Sequence, residues 1–359
     1  MRVGFVLPGM SPVPVGGYKV VYQYAEGLAR DHGFVTEVWH LAGLRNQFPY
    51  GPAREVARRA KERRGSECEV NWFDTSCTDI RSVFRLNPRD LRGTTVLVAT
   101  SWRTAALLAK ARFRHFTRAY LVQGDETWSG STAEVHGTWS LPMAKLVIAR
   151  WLLERIRLET GHEPRYTPNG IDRSEFFSIV PPEARRGPVV GMLWHEAPGK
   201  GSAIGLEALR FAHDQLPELR AHIFSTYEQL ENLPPWIRWH SRPSPQGLRN
   251  LYNQISVFLS PSLSEGWALP PAEAMSCGAC LISSDIGGVS DYAKHRETAL
   301  LVPPGDSRRM AESLIEALSD VQLRVQLASA GESLIASQFT LSAAQLNMAK
   351  VLAEIASEP

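Results

Sequence analysis

"RVGFVLPGMSPVPVGGYKVVYQYAEGLARDHG", from Arg2 to Gly33, runs from an apolar stretch through a Pro/Gly-rich loop into apolar residues at helical spacing. An apolar run that ends in glycine punctuation and gives way to a period of 3.6 is a strand, a loop and a helix. The alternation continues through "VTEVWHLA" (35–42), "TTVLVATS" (94–101), helical "WRTAALLAKARFR" (102–114), "RAYLVQG" (118–124) and helical "MAKLVIARWLLERIRLETG" (143–161). Strands and helices in alternation imply right-handed crossovers and a parallel sheet covered on both faces. After "RYTPNGIDRSEFFSIVPPEARRGP" (165–188), which reads as a linker, the pattern restarts at "VVGMLW" (189–194) and runs through "LRAHIFS", "IRWHS", "SVFLSPS", "CLISS" and "ALLVPP" with helical segments between. The expected class is α/β: two Rossmann-like, doubly wound domains facing across a cleft, the first over 1–170 and the second over 171–341. Ligands in such sheets lie at the carboxyl ends of the strands, which directs attention to the loops after "RVGFVL", "VVGMLW" and "SVFLSPS".

At 359 residues and 44% hydrophobic, the chain is long enough for two cores. No apolar run reaches the roughly 18 residues of a spanning helix, so a soluble, unexported, cytoplasmic protein is expected. Cys68, Cys77, Cys277 and Cys280 are too few for a disulfide scaffold, and C-G-A-C has no partner pair for zinc. Reduced thiols and no metal site are the expectation. Up to Gly170 there are 24 Lys+Arg against 16 Asp+Glu, and beyond it 15 against 21, so the halves differ in sign. The densest basic run, "AREVARRAKERRG" (53–65), reads as a solvated helix face or as peripheral contact with an anionic membrane surface or acceptor. Nucleic acid is excluded as a partner, because the basic residues are not interleaved with stacking aromatics.

The chemistry concentrates in "SLSEGWALPPAEAM", Ser262 to Met275. A Pro suits the first helical position, since its missing N–H would be unpaired there. The expected helix therefore starts near Pro271, with Glu273 in its first turn and Glu265 in the loop before it. Both carboxylates then stand at one helix mouth, whose free N–H groups attract anions, and Gly266 lets backbone approach a ligand. Each glutamate also has a structural account, as a dipole partner or as a solvated loop residue.

These residues, with "SCGACLISSDIGGVSDY", "ALLVPPGD", "PNGID" (168–172) and Lys200-Gly201, resemble the E-x7-E region of retaining glycosyltransferases of family four, which have the GT-B fold. Around "GMLWHEAPGKG" the chain looks most like the subgroup that builds rhamnose-containing surface polysaccharides. The resemblance implies that Glu273 holds the ribose hydroxyls of a nucleotide sugar and Glu265 the donor sugar. Amides of Gly266, Trp267, Ala268 and Leu269, and the first-domain glycines Gly16 and Gly17, meet the diphosphate. Lys200 neutralises the leaving group. Where relatives pair that lysine with an arginine, this chain has Met192, so either His195, Arg173 or Arg242 substitutes or the lysine acts alone. Where relatives carry a histidine after the fifth strand, it has "QGDET", so Gln123, Asp125 or Glu126 takes the place, with Asp125 counted among the catalytic candidates. The resemblance also implies that helix 342–357 packs on the first domain, that the domains close by a hinge, and that the acceptor is a glycan or lipid-linked glycan.

Rival chemistries fit less well. Glutamates at a helix N-terminus have lowered, not raised, pKa values, which disfavours a glycoside hydrolase. The first loop lacks G-x-G-x-x-G, and "APGKGS" lacks the first glycine and the hydroxyl of a P-loop. A GT-B epimerase or hydrolase of nucleotide sugars, and a silent nucleotide-sugar binder, remain alongside the transferase.

Overall fold

A computed structural model of the chain describes residues 1–44 and 70–358; the basic run at 53–65 and Cys68 lie outside the described residues. The chain forms two compact units, Met1–Asn169 with Ser342–Pro359, and Gly170–Leu341.

In the first unit, β1 (Arg2–Leu7), β2 (Val35–Leu41), β3 (Asp79–Val83), β4 (Val96–Ala99), β5 (Thr117–Val122), β6 (Ala144–Val147) and β7 (Arg165–Tyr166) form one sheet in the order β3-β2-β1-β4-β5-β6-β7. Every pairing is parallel, with Val3 of β1 set between Thr36 and Val96. Val3, Phe5, Val6 and Leu7 are buried, as expected of a strand covered on both faces. The helices α1 (Gly16–His32), α2 (Trp102–Leu108), α3 (Thr132–Gly137) and α4 (Arg150–Thr160) belong to this unit. The chain leaves β1 toward one edge and β4 toward the other, so the strand order reverses between them.

Two sequence readings are corrected here. The run 143–161 is not one helix: Ala144–Val147 is β6, and α4 begins at Arg150. Leu146 and Val147 are fully buried between β5 and β7, and that burial overrides the helical propensity of a continuous apolar run. The polar stretch Asp79–Val83 is an edge strand that the apolar pattern does not announce.

The second unit repeats the plan with β8 (Val189–Leu193), β9 (Arg220–Ser225), β10 (Ile237–Ser241), β11 (Val257–Ser260), β12 (Cys280–Ser284) and β13 (Ala299–Val302), ordered β10-β9-β8-β11-β12-β13 and parallel throughout. Its helices are α5 (Ser202–Gln215), α6 (Pro245–Gln254), α7 (Leu269–Ser276), α8 (Ser307–Ser319) and α9 (Val321–Gln338). The core joins Val190, Met192, Ile223, Leu259 and Ile282 of the sheet to Leu209 and Leu314 of the helices. The order reverses between β8 and β11, placing their following loops side by side. The stretch 165–188 is more than a linker: the buried Arg185 guanidinium donates to the carbonyls of Val180 (3.0 Å), Tyr252 (3.0 Å), Ile255 (2.7 Å) and Cys277. Cys277 and Cys280 are buried free thiols, and burial pushes both up to about 12; Cys77 is exposed. Among the described residues no helix is long and apolar enough to cross a membrane.

The last helix, α10 (Leu341–Ser357), binds elements of the first unit: Gln345 Nε2 donates to Gln23 O (2.7 Å), Asn347 Nδ2 to Tyr166 O (2.9 Å), and Arg165 pairs with Glu354 (2.7 Å). Gly27 of α1 lies against Gln345 so closely that a Cβ there would overlap the Gln345 amide. In Gly27→Ala the overlap, about 1–3 kcal/mol, is offset by the roughly 1 kcal/mol that alanine gains over glycine inside a helix, leaving a net loss of about 0–2 kcal/mol in unfolding free energy. Urea denaturation checks it, and adding Gln345→Ala should recover part of the loss.

Candidate functional site

Topology brings Lys200 and Glu265 together although 65 residues separate them. Lys200 ends a 3₁₀ turn, Pro198–Lys200, in the loop after β8, and Glu265 lies in the loop after β11, where the strand order reverses. The two loops are clipped to each other: Gly199 O accepts from Leu263 N (2.8 Å) and Ser264 N (3.3 Å). Gly201 has φ 59° and faces Pro261 O with no room for a Cβ, so the turn requires glycine there. Lys200 Nζ then reaches both carboxylate oxygens of Glu265, at 2.7 and 2.9 Å, and Ser262 Oγ donates to the same carboxylate at 2.8 Å. Both side chains stay partly open to solvent, Lys200 at 29% and Glu265 at 14%. A pocket of about 20 Å³, the space of one water, is lined by Lys200, Glu265, Ser262, Pro270 and Pro271, so a larger ligand must lie over these residues.

The helix after β11 starts earlier than its prolines suggested. It runs Leu269–Ser276 with Ala268 as N-cap, which puts Pro270 and Pro271 inside the first turn and Glu273 beyond it. The expected helix mouth is thereby corrected. Two prolines remove two of the N–H groups that a helix start normally leaves open, and Ala268 N already donates to Gly288 O (2.9 Å). Leu269 is left as the amide donor of that turn. Glu273 is 6% exposed, and its carboxylate accepts from the Tyr252 hydroxyl at 3.3 Å. Burial, then the Glu273 charge, raises the Tyr252 phenol well above its ordinary value. Trp267 turns its side chain into the core, edge-on to Tyr292 (4.9 Å) and tilted against Phe339 (5.9 Å), so only its backbone faces the loop.

Lys200 is the one lysine or arginine in the two clipped loops, 194–201 and 261–268. Met192 is buried in the core against Gly205. His195 stands closest, with Nδ1 accepting from Ala197 N (3.0 Å), but burial and then the Lys200 charge lower its pKa, so the imidazole is neutral at pH 7. Arg173 lies 3.9 Å from Glu332 and Arg242 lies 3.9 Å from Glu228.

In the first unit Gly16 and Gly17 open α1 rather than forming the loop itself, which spans residues 8–15. That loop is held by His40 Nδ1 against Gly9 O (2.7 Å) and Trp72 Nε1 donating to Ser11 O (3.0 Å). Burial pushes His40 down to about 4, so Nδ1 donates as a neutral ring. The Gln123 amide packs on Gly17, its oxygen 3.3 Å from where a Cβ would stand, while Nε2 donates to Thr100 O (3.3 Å). Asp125 is engaged on both oxygens, by His136 Nε2 (3.1 Å) and Arg155 Nη1 (2.9 Å). His136 in turn contacts Glu159 (2.9 Å) and stacks on Trp139 at 4.0 Å. Sequence reading missed His136, which comes from α3, a separate helix whose only local signature is the Ser131–Glu134 capping box. A larger cavity, about 390 Å³, opens between Leu41, Phe84 and Leu107 with Arg85, Lys110 and Arg112 at its walls, and no sequence motif falls in it.

Glu126 is the most perturbed carboxyl of this group. Burial pushes it up to about 7, against hydrogen bonds from Trp102 N (2.6 Å) and Tyr120 Oη (3.2 Å) that favour the ionised form. The folded chain therefore keeps a proton that the unfolded chain releases, and stability falls as pH rises from the ordinary 4.5 through about 7. Urea titrations across that window should show a decline of about 2–3 kcal/mol in the parent protein and a flattened profile in Glu126→Gln.

Residues 225–334 match the family described as Glycosyl transferases group 1. Among curated proteins, a D-inositol 3-phosphate glycosyltransferase of Jonesia denitrificans is 33% identical over 35% of this chain and 28% of its own. A phosphatidyl-myo-inositol mannosyltransferase of Mycolicibacterium smegmatis is 26% identical over 49% of this chain and 47% of its own. The chain thus spans less than half the length of these relatives. Among solved structures, a sucrose-phosphate synthase from Thermosynechococcus elongatus superposes with a TM-score of 0.75 at 17% identity, over 99% of this chain and 98% of that one. The Anabaena HepE protein in complex with UDP-glucose gives 0.74 at 15% identity, over 99% and 100%. The chain therefore has the GT-B fold, and its match to the group 1 glycosyl transferases lies wholly within the second unit.

Proposed function

We propose that this protein is a retaining, metal-independent glycosyltransferase that moves a sugar from a nucleotide-diphosphate donor to a hydroxyl of a glycan or lipid-linked glycan. The observation that carries the reading is the Lys200–Glu265 pair at the point where the strand order reverses, with Glu265 inside the matched segment. Without ligand the two charges satisfy each other. When a donor lies over them, Lys200 turns its charge to the diphosphate and Glu265 is released to accept hydrogen bonds from sugar hydroxyls. The bond between the anomeric carbon and the phosphate oxygen breaks, and the acceptor oxygen attacks from the same face. Its proton passes to the departing phosphate, so no side-chain nucleophile is needed. Leu269 N and the backbone at Gly266 and Trp267 support the diphosphate. Glu273, held by Tyr252, receives the ribose. The donor sugar of this reading is a hexose or deoxyhexose such as rhamnose. The protein acts in the cytoplasm, with the basic run at 53–65 favouring contact with the inner face of an anionic membrane.

Incubating the purified protein with a panel of nucleotide sugars tests the reading: slow donor hydrolysis that accelerates with acceptor supports a transferase. Interconversion of sugars identifies an epimerase, and thermal stabilisation without turnover a silent binder. EDTA should leave the rate unchanged. With the donor found, Lys200→Ala should lower kcat roughly 10²–10³-fold, as expected for loss of a charge that stabilises the leaving group. Glu273→Gln should instead raise the donor KM about tenfold, roughly 1.4 kcal/mol of binding. Unchanged donor affinity and turnover in both variants would sink the assignment.

A further inference from the structure

Trp128 is 73% exposed, and among the described residues it is the one tryptophan whose side chain stands in solvent. It ends a short 3₁₀ turn, Glu126–Trp128, just past the carboxyl end of β5, on the side of the sheet where ligands of doubly wound folds lie. An exposed indole on a loose loop would mean little, but this one is mounted on fixed backbone. On one side Glu126, half-buried, accepts from Trp102 N (2.6 Å) and Tyr120 Oη (3.2 Å), and Asp125 is held by two ion pairs. On the other, Ser129 N donates to Glu126 O (2.8 Å), and Ser129 Oγ accepts from the Trp102 indole N–H (2.7 Å). Gly130 lies so close to the Trp102 ring that a Cβ would stand 2.7 Å from it. The chain thus fixes the backbone on both sides of Trp128 and leaves its ring without a partner among the described residues.

We propose that Trp128 is a stacking platform for a pyranose ring of the acceptor glycan, an inference that rests on the transferase reading and names a site on the acceptor side of it. The C–H groups on one face of a pyranose are weakly positive and apolar and fit the electron-rich indole face, while the ring hydroxyls stay at the edge in water. A preformed platform of this kind binds sugar without having to order a loop. The surroundings favour a sugar over a bilayer. The nearest exposed large hydrophobic residues along the chain are Phe84 and Leu158, so Trp128 does not belong to a run of apolar side chains.

Saturation-transfer NMR on the full chain tests this with methyl α-D-glucopyranoside, methyl α-D-mannopyranoside and methyl α-L-rhamnopyranoside as probes. At least one glycoside should receive saturation on the protons of one ring face. The signal should fall at least fivefold in Trp128→Ala and recover by about half in Trp128→Phe, with both variants unfolding at the parent's temperature. Signals from UDP, GDP and dTDP should be the same in Trp128→Ala as in the parent. A glycoside signal that the parent gives and Trp128→Ala loses, in a parent that binds no nucleotide, would support the platform while overturning the donor site. The proposal is overturned if no glycoside is saturated by the parent, if Trp128→Ala leaves the signal intact, or if Trp128→Ala loses only co-sedimentation with phosphatidylglycerol vesicles.

Discussion

Gly201 sits with its Cα against the Pro261 carbonyl, and the arrangement around Lys200 follows from that contact. Any side chain at this position would push the loop after β8 off the loop after β11 and break the two amide hydrogen bonds to Gly199 O. Separated loops would leave Lys200 and Glu265 as two surface charges, each hydrated and worth little to the other. Clipped, they form a pair with one carboxylate held by three donors' worth of hydrogen bonds from Lys200 and Ser262. Small residues recur around the pair for the same steric reason: Gly288 lets the Glu265 backbone approach, and Gly205 admits Pro261 and the Met192 sulfur.

The electrostatics of the second-unit loops are spare. A helix start usually lends several amides to an anion, and here the proline pair and the Gly288 carbonyl leave Leu269. A neutral His195 adds no charge. The positive charge of these two loops therefore rests on one lysine on a rigid turn, a point charge and not a diffuse basic patch.

The alternation of strands and helices was legible because both sheets are parallel and doubly covered, so β1, β4, β5, β8, β11 and β12 read as continuous apolar runs. β6 was not, because its apolar residues merge without punctuation into α4; nor was β3, whose polar residues lie at an edge where burial imposes no pattern. Among site residues, Glu265 and Lys200 were visible as motif positions, but their contact depends on the β8–β11 neighbourhood, which no local spacing encodes. The start of α7 was misplaced by two residues because a Pro-Pro pair is compatible with more than one register at a helix N-terminus. The ties around Asp125 were invisible for a different reason: His136 and Arg155 come from two separate helices and converge on Asp125, Glu159 and Trp139 only in the folded unit.

Because residues 342–357 complete the first unit, that unit is assembled from the two extremes of the described chain. During synthesis, strands β1 to β7 leave the ribosome well before the helix that covers Gln23, Gly27 and Tyr166. At about 5–20 residues per second, the intervening 170–341 stretch delays that helix by roughly 10–30 s. For that interval the α10-covered face of α1 stays bare while the second unit is still being made. The first unit, whose strands are made first, is therefore completed no earlier than the second.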